Sequence, residues 1–139
     1  MRKWIKVMLI AAAVIVLTFI IIYFAIYNPQ LSSGGVRQID IITLPSPPKE
    51  KVVTRKEDIN TFINYYNTTQ KHPLLSFGLS GWQMSIKVNQ NNIEHRITLS
   101  GNMMNVDGRW YTVDKDVLPS LEKLYSKFEY QELNYINGG

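Results

Sequence analysis

Hydrophobic and polar positions are arranged in three different ways along this chain. From Val7 to Tyr27 there is no charge, and Thr18 is the single strongly polar side chain apart from the phenols near the end. A helix rises about 1.5 Å per residue, so this run reaches ~30 Å, the depth of a bilayer's hydrocarbon core. The pattern predicts a transmembrane helix over 7–27. A soluble core helix of that length would carry a polar face, and this run carries none.

Further along, a helical period replaces the continuous run. Ile59, Phe62, Ile63 and Tyr66 stand at i, i+3, i+4 and i+7 and predict an amphipathic helix over 55–69. Thr54-Arg55-Lys56-Glu57 reads as its capping box, with the Thr54 hydroxyl accepting from the N3 amide and Glu57 reaching back. Val117, Leu118, Leu121, Leu124, Tyr125 and Phe128 form a second stripe behind a cap at Asp116. With that cap Pro119 falls at N3, where its missing amide costs little.

Between the two helices the pattern is strict alternation. Trp82, Met84, Ile86 and Val88 form one apolar row, and Ile93, His95, Ile97 and Leu99 form the next. A four-residue turn, Asn89 to Asn92, would set Val88 opposite Ile93. A Gly101-Asn102 turn sets Leu99 opposite Met104 and Ile97 opposite Val106, and Asp107-Gly108, a type I′ signal, sets Met104 opposite Tyr111. Each turn keeps the apolar rows on one face, and a slip of one residue in any of them would reverse a strand. Val36–Leu44 is a further strand candidate, and Tyr130–Tyr135 a candidate edge strand. The expected fold class is α+β: an N-terminal transmembrane helix, then a small two-layer domain in which two amphipathic helices pack on one face of an antiparallel β-meander.

These elements divide the chain into a cytoplasmic stub (1–6), the transmembrane helix (7–27), a linker (28–35), an extracytoplasmic domain (36–135) and a frayed C-terminus (136–139). Gln30–Gly35, QLSSGG, has the composition of a flexible spacer. Pro45-Ser46-Pro47-Pro48 is a stiff break, too short for more than about one polyproline turn. Residues 36–135 suffice for one small hydrophobic core and not for two.

Charge gives the helix a direction. Arg2, Lys3 and Lys6 crowd its N-terminal side, and the next basic residue is Arg37, so the N-terminus is expected in the cytoplasm and the domain outside. Trp4, Tyr23 and Tyr27 fall near the two ends, where aromatic rings favour the headgroup layer. Three of the fifteen Lys and Arg precede the span, so twelve accompany all eleven acids and the domain itself is near +1. Much of the overall +4 therefore belongs to the stub, and no basic face supports nucleic-acid binding. A cleaved signal peptide is the competing reading of the N-terminus. The apolar run exceeds the usual h-region of roughly 7–15 residues. Tyr23-Phe24-Ala25 also puts a bulky ring where cleavage needs a small residue. With no cysteine there is no lipoprotein processing, disulfide framework or thiol chemistry.

Candidate chemistry is sparse. His72 and His95 have no Cys, Asp or Glu at metal-ligand spacing, and Glu94-His95 are adjacent strand residues that point to opposite faces. His95 reads as a core or rim histidine and His72, before Pro73, as a surface loop residue. No serine lies in a nucleophile elbow, and Asp107-Gly108 lacks the repeated acids of a calcium loop. Asn67-Thr68-Thr69 matches the N-glycosylation pattern, and is read as a chance match. No catalytic residue, cofactor or metal ligand is assigned. The registers place Trp110, Met103, Asn105 and Arg96 on the face away from the apolar rows, with Thr112, Lys87 and Gln83 nearby. Exposed aromatics beside Arg and Asn suit contact with a protein partner or an envelope component, unless the Pro-rich segment, the first strand or the tail folds over them.

Val106-Asp107-Gly108-Arg109-Trp110-Tyr111 is similar to a hairpin found in many exported bacterial domains. With its basic start, one anchor and compact domain, the chain resembles the small single-pass membrane proteins of Gram-positive bacteria, in arrangement more than in residues. That resemblance implies a location and no particular site. Three function classes follow. The first is a non-enzymatic membrane-tethered binding module. The second is an accessory or regulatory subunit of a membrane complex, recognised through the small-residue surface Ala11-Ala12-Ala13. The third, least favoured, is an enzyme whose site assembles only in the fold.

Overall fold

The computed structural model describes residues 2–26, 28–44, 47–74 and 81–136. Tyr27, the Pro45-Ser46 half of the Pro-rich break and the last three residues of the expected frayed end lie outside them. A long apolar helix α1 (Lys3–Ile26) comes first, starting four residues before the uncharged run and so taking in Lys3 and Lys6. The domain then follows as β1 (Val36–Thr43), β2 (Lys49–Val53), α2 (Lys56–Thr68), β3 (His72–Pro73), β4 (Met84–Gln90), β5 (Ile93–Ser100), β6 (Met103–Val106), β7 (Arg109–Thr112), α3 (Val117–Lys127) and β8 (Leu133–Asn134). The strands form one antiparallel sheet in the order β3-β7-β6-β5-β4-β1-β2-β8. The fold is α+β, as expected.

The β5–β6 and β6–β7 registers are those the turns predict: Leu99 faces Met104, Ile97 faces Val106 and Met104 faces Tyr111. Asp107 and Gly108 both have positive φ, 50° and 90°, as a type I′ turn requires. The β4–β5 register differs by two residues. Asn91 and Asn92 adopt φ of 52° and 64°, which Asn tolerates better than most residues, and make a two-residue turn. Gln90 therefore faces Ile93 and Val88 faces His95. A shift of two preserves the faces, so Met84, Ile86 and Val88 still share a side with Ile97 and Leu99. Ile93 is carried to the hairpin tip, 61% exposed.

One core lies between the sheet and the two helices. Ile59, Phe62, Ile63 and Tyr66 of α2 and Val117, Leu118, Leu121 and Tyr125 of α3 meet Ile39, Ile41, Val53 and the rows of β4–β7 there. Burying side chains of this size stabilises by about 1.5–3 kcal/mol each.

The helix ends are finished by side chains from outside the helices. α2 has Arg55 at its N-cap, one residue later than the Thr54 of the capping box, and Arg55 makes no side-chain cap bond to the helix amides. Instead the Tyr130 hydroxyl accepts from the Arg55 amide at 3.0 Å and donates to the Asp58 carboxylate at 2.6 Å. Asp116 does stand at the N-cap of α3, but its side chain makes no cap bond. At the C-terminal ends, two buried lysines take the role. Lys51 shares the core-facing row of β2 with Val53 and donates to the carbonyls of Tyr125 and Phe128 at 2.9 and 3.0 Å. Lys71 donates to the carbonyls of Tyr66 and Thr69 at 2.8 and 3.0 Å. Each ammonium also lies over a tyrosine ring of the helix it caps: 4.5 Å for Lys51 on Tyr125, 4.0 Å for Lys71 on Tyr66.

The segment after α1 differs from the flexible spacer its composition suggests. Leu31 is 7% exposed and belongs to the core. Its amide donates to Asn67 Oδ1 at 2.8 Å, and its carbonyl accepts from Asn67 Nδ2 at 2.7 Å. Polar composition alone suggested a free chain because nothing local marks Leu31 as a core residue.

Replacing Lys51 by Met keeps most of the buried volume and removes the donor for two α3 carbonyls. Lys51→Met is expected to lower the urea-unfolding free energy of the full chain in detergent by about 2 kcal/mol. An unchanged midpoint would show that the cap contributes nothing.

Candidate functional site

Two surfaces have the composition of recognition sites, and they meet at one edge of the sheet. The first is the sheet face away from the helices. Trp110 of β7 stands opposite Asn105 of β6, and Met103 stands opposite Thr112, so Trp110 and Met103 are diagonal neighbours within reach of each other. Arg96 lies on the same face of β5. The four predicted patch residues thus share a face, but they are not equally available. Trp110, Met103 and Asn105 are half-buried, and only Arg96 is exposed. Asn105 Oδ1 accepts from the Gly108 amide at 2.9 Å, which ties it to the β6–β7 turn. The Arg96 guanidinium is paired with Glu94 at 3.1 Å.

The centre of this face is covered. Ile42, aligned through Ser85 and Thr98 with the Asn105–Trp110 pair, is 1% exposed, and Ser85 is buried as well. The C-terminal tail reaches the same face: the Tyr135 amide donates to Pro48, and the Lys87 ammonium lies 5.9 Å from the Tyr135 ring centre. What remains open lies toward β6 and β7.

The second surface is a groove of about 540 Å³ on the helix side of the same edge. One wall is Tyr65, Thr68, Thr69, Gln70 and His72; the other is Val113, Asp114, Asp116 and Val117. β3 holds His72 there by pairing it with Thr112. The hydroxyls of Thr68 and Thr69 are committed to the Tyr65 carbonyl at 3.0 and 2.9 Å. Asp114 accepts from the Asp116 amide at 3.3 Å, an Asx turn that opens α3. The lining includes two acidic residues, Asp114 and Asp116, and one histidine. Among the described residues, no group of three or more His, Cys, Asp or Glu could hold a metal ion.

The histidines differ in setting. His95 sits at the rim with Nδ1 2.8 Å from Asp107 Oδ2, a satisfied rim histidine. His72 is exposed, but in a short strand lining the groove instead of a loop. The groove was not visible in the sequence because its walls come from segments more than forty residues apart and carry no shared motif. Lys71, which caps the adjoining helix end, had one local signal: a basic residue just past a predicted helix terminus.

The Tyr66 hydroxyl, buried under Lys71, has no hydrogen-bond partner among the described residues, and burial pushes its ionisation upward. These features define an α+β domain behind one apolar helix whose length and composition fit a membrane anchor or a signal sequence. Comparison with protein-family models, curated proteins and solved structures finds no match for the chain.

Burial pulls the Lys71 ammonium down to about 8 from its usual 10.5. Below pH 8 the lysine is protonated both folded and unfolded. Above it the folded protein releases the proton first, so the unfolded chain binds more protons and stability rises with pH. Tyr66 and Tyr125, both pushed above their usual 10.0, oppose this at higher pH. Between pH 8 and 10 the unfolding free energy is expected to rise relative to that of Lys71→Met. Parallel pH curves for the two proteins would contradict this.

Proposed function

We propose that this protein is a membrane-anchored, non-enzymatic module, N-terminus in the cytoplasm and domain outside, that binds a protein partner or an envelope component. One observation carries the anchor: no part of the apolar stretch Lys3–Tyr23 is buried against the domain. Its side chains need another apolar environment, and a bilayer supplies one. The Thr18 hydroxyl donates to the Val14 carbonyl at 2.8 Å, so the one polar side chain of the uncharged middle is satisfied within the helix. Arg2, Lys3 and Lys6 on one side support the orientation, and the bulky Tyr23-Phe24-Ala25 sequence supports retention over cleavage.

The recognition end in this reading is the β3–β7 edge. Thr112 links the two surfaces there: it pairs with His72, which lines the groove, and with Met103 of the opposite face. Trp110 is the large aromatic of that edge, and its half-buried setting suits an anchor that is rigid before contact. The alternative is a subunit recognised within the bilayer through Ala11–Ala13, whose neighbours on α1 are also exposed.

Intact-mass measurement of the membrane fraction is expected to find the apolar N-terminal segment still joined to the domain, and a chain lacking it would mean a cleaved signal sequence. Crosslinking in intact cells separates the remaining readings. Trp110→Ala is expected to lose the partner crosslink while costing about 1–2 kcal/mol of stability. An unaltered partner set would remove the edge from consideration. Exchange of α1 for an unrelated anchor is expected to leave the partner set intact, and its loss would favour recognition inside the bilayer.

A further inference from the structure

The chain after α3 is firmly fixed only as far as Tyr130. The Tyr130 hydroxyl bonds the Arg55 amide and Asp58, and its ring packs edge-on against Phe128 of the core. Beyond it Gln131, Glu132, Leu133 and Asn134 are all exposed, and none belongs to the hydrophobic core. The stretch is held by the Tyr125 hydroxyl, which donates to Glu132 at 2.9 Å, by the two-residue ladder of β8 on β2, and by Lys49, which donates to Asn134 Oδ1 at 2.6 Å. A segment with so few buried contacts opens locally, at a lower free energy than the domain as a whole.

What this stretch covers is apolar. Leu133 pairs with Glu50 and Glu50 with Ile42, on the sheet face away from the helices. Tyr135, two residues further on, returns to the same side, and its amide donates to the Pro48 carbonyl at 2.9 Å. From the other flank Lys87, paired with Asp40, brings its ammonium to 5.9 Å from the Tyr135 ring centre. Ring and ammonium thus meet across β2 and β1, around Ile42. Burial and the neighbouring Asp40 push the Glu50 carboxyl up while Lys87 pulls it down, which sets the Lys87 charge beside Glu50 as well. Ile42 is 1% exposed although it lies outside the core cluster between sheet and helices.

Ile42 heads a register row that runs through Ser85, Thr98 and Asn105 to Trp110, about 19 Å across five strands. One apolar end of the row, Trp110, is half open, and the other is closed by the chain's own tail. We propose that residues 133–136 are an autoinhibitory strap that keeps the Ile42 end of the recognition face shut, and that a partner seated at Trp110 completes its contact only when the strap leaves the β2 edge. The inference rests on the binding reading above and adds its regulation. Release uncovers Ile42 and the outer edge of β2 together, and the core, which takes no residue from the strap, stays intact. The closed strap lowers the apparent affinity for the partner by the fraction of molecules in which it is open.

The cysteine-free chain makes the test direct. Ile42→Cys and Val88→Cys, each alone in the full chain in detergent, would be labelled with a maleimide. Position 42 is expected to react about tenfold faster than 88, which reports opening of the core, and Tyr135→Ala to raise the rate at 42 about tenfold again with 88 unchanged. Exchange of the Tyr135 amide against that of Ile86 reads the same opening in the unmodified chain. Equal rates within each pair would mean that the strap leaves only when the domain unfolds, and would overturn the inference. Lys49→Cys with Asn134→Cys then fastens the strap by a disulfide, since the two residues face each other in the β2–β8 ladder. In intact cells the fastened form is expected to lose the Trp110-dependent crosslink, and reduction to restore it. A crosslink indifferent to the disulfide would overturn the inhibition and leave the binding reading standing. A partner set indifferent to Trp110→Ala would overturn the binding reading, and the strap's role with it.

Discussion

The side-chain amide of Asn67 holds both the amide and the carbonyl of Leu31, and the arrangement of the whole chain depends on that clamp. Asn67 lies near the end of α2, so the grip ties the segment after α1 to the helix layer and not to a neighbouring loop. Each of the two hydrogen bonds adds about 1 kcal/mol net, and the buried Leu31 side chain about 2 kcal/mol more. Those contributions exceed what a short polar segment gains by remaining free only because the leucine enters a core already built by the sheet. The linker thus becomes part of the domain.

The same logic governs the helix termini. α2 and α3 are short, and short helices in water owe their stability to packing more than to propensity. Their C-terminal carbonyls are buried against the sheet, where water does not reach them easily, and each set receives one lysine. Lys51 reaches α3 from a strand edge, and Lys71 reaches α2 from the connection that follows it. In both the amine donates to two carbonyls and lies over a tyrosine face, contacts that an apolar side chain would not reproduce. Tyr130 does the corresponding task at the start of α2. Two of these ends, the start of α2 and the end of α3, are therefore closed by tertiary contacts, which couples helix formation to assembly of the sheet.

That coupling marks the boundary of what the sequence discloses. Features set by neighbours in the chain were legible: the uncharged run of α1, the stripes of α2 and α3, and the turns at Gly101-Asn102 and Asp107-Gly108. At Asn91-Asn92 the turn is two residues shorter than its composition suggests, and the period of two keeps Val88 and Ile97 on the same face. Features set by distant partners were not legible. β2 reads as Lys-Glu-Lys-Val-Val, and its Lys51 looks like a surface residue until α3 is placed above it. Thr54-x-x-Glu57 satisfied a local rule, but the Tyr130 hydroxyl, more than seventy residues away, took the position. The side of the sheet that carries Trp110 follows from the β6–β7 register, while the partial cover of that face, which includes the Tyr135 tail, depends on where the last residues run.

The central physical claim is that the segment leaving α1 is a fixed part of the domain. Hydrogen exchange at the Leu31 amide, in the full chain held in detergent or lipid, tests it most directly. The account predicts protection of that amide comparable to the core amides of β4, since its acceptor, Asn67 Oδ1, is part-buried and rigidly placed. Exchange at the rate of an unstructured chain would contradict it, and would make the domain a free body on a flexible leash.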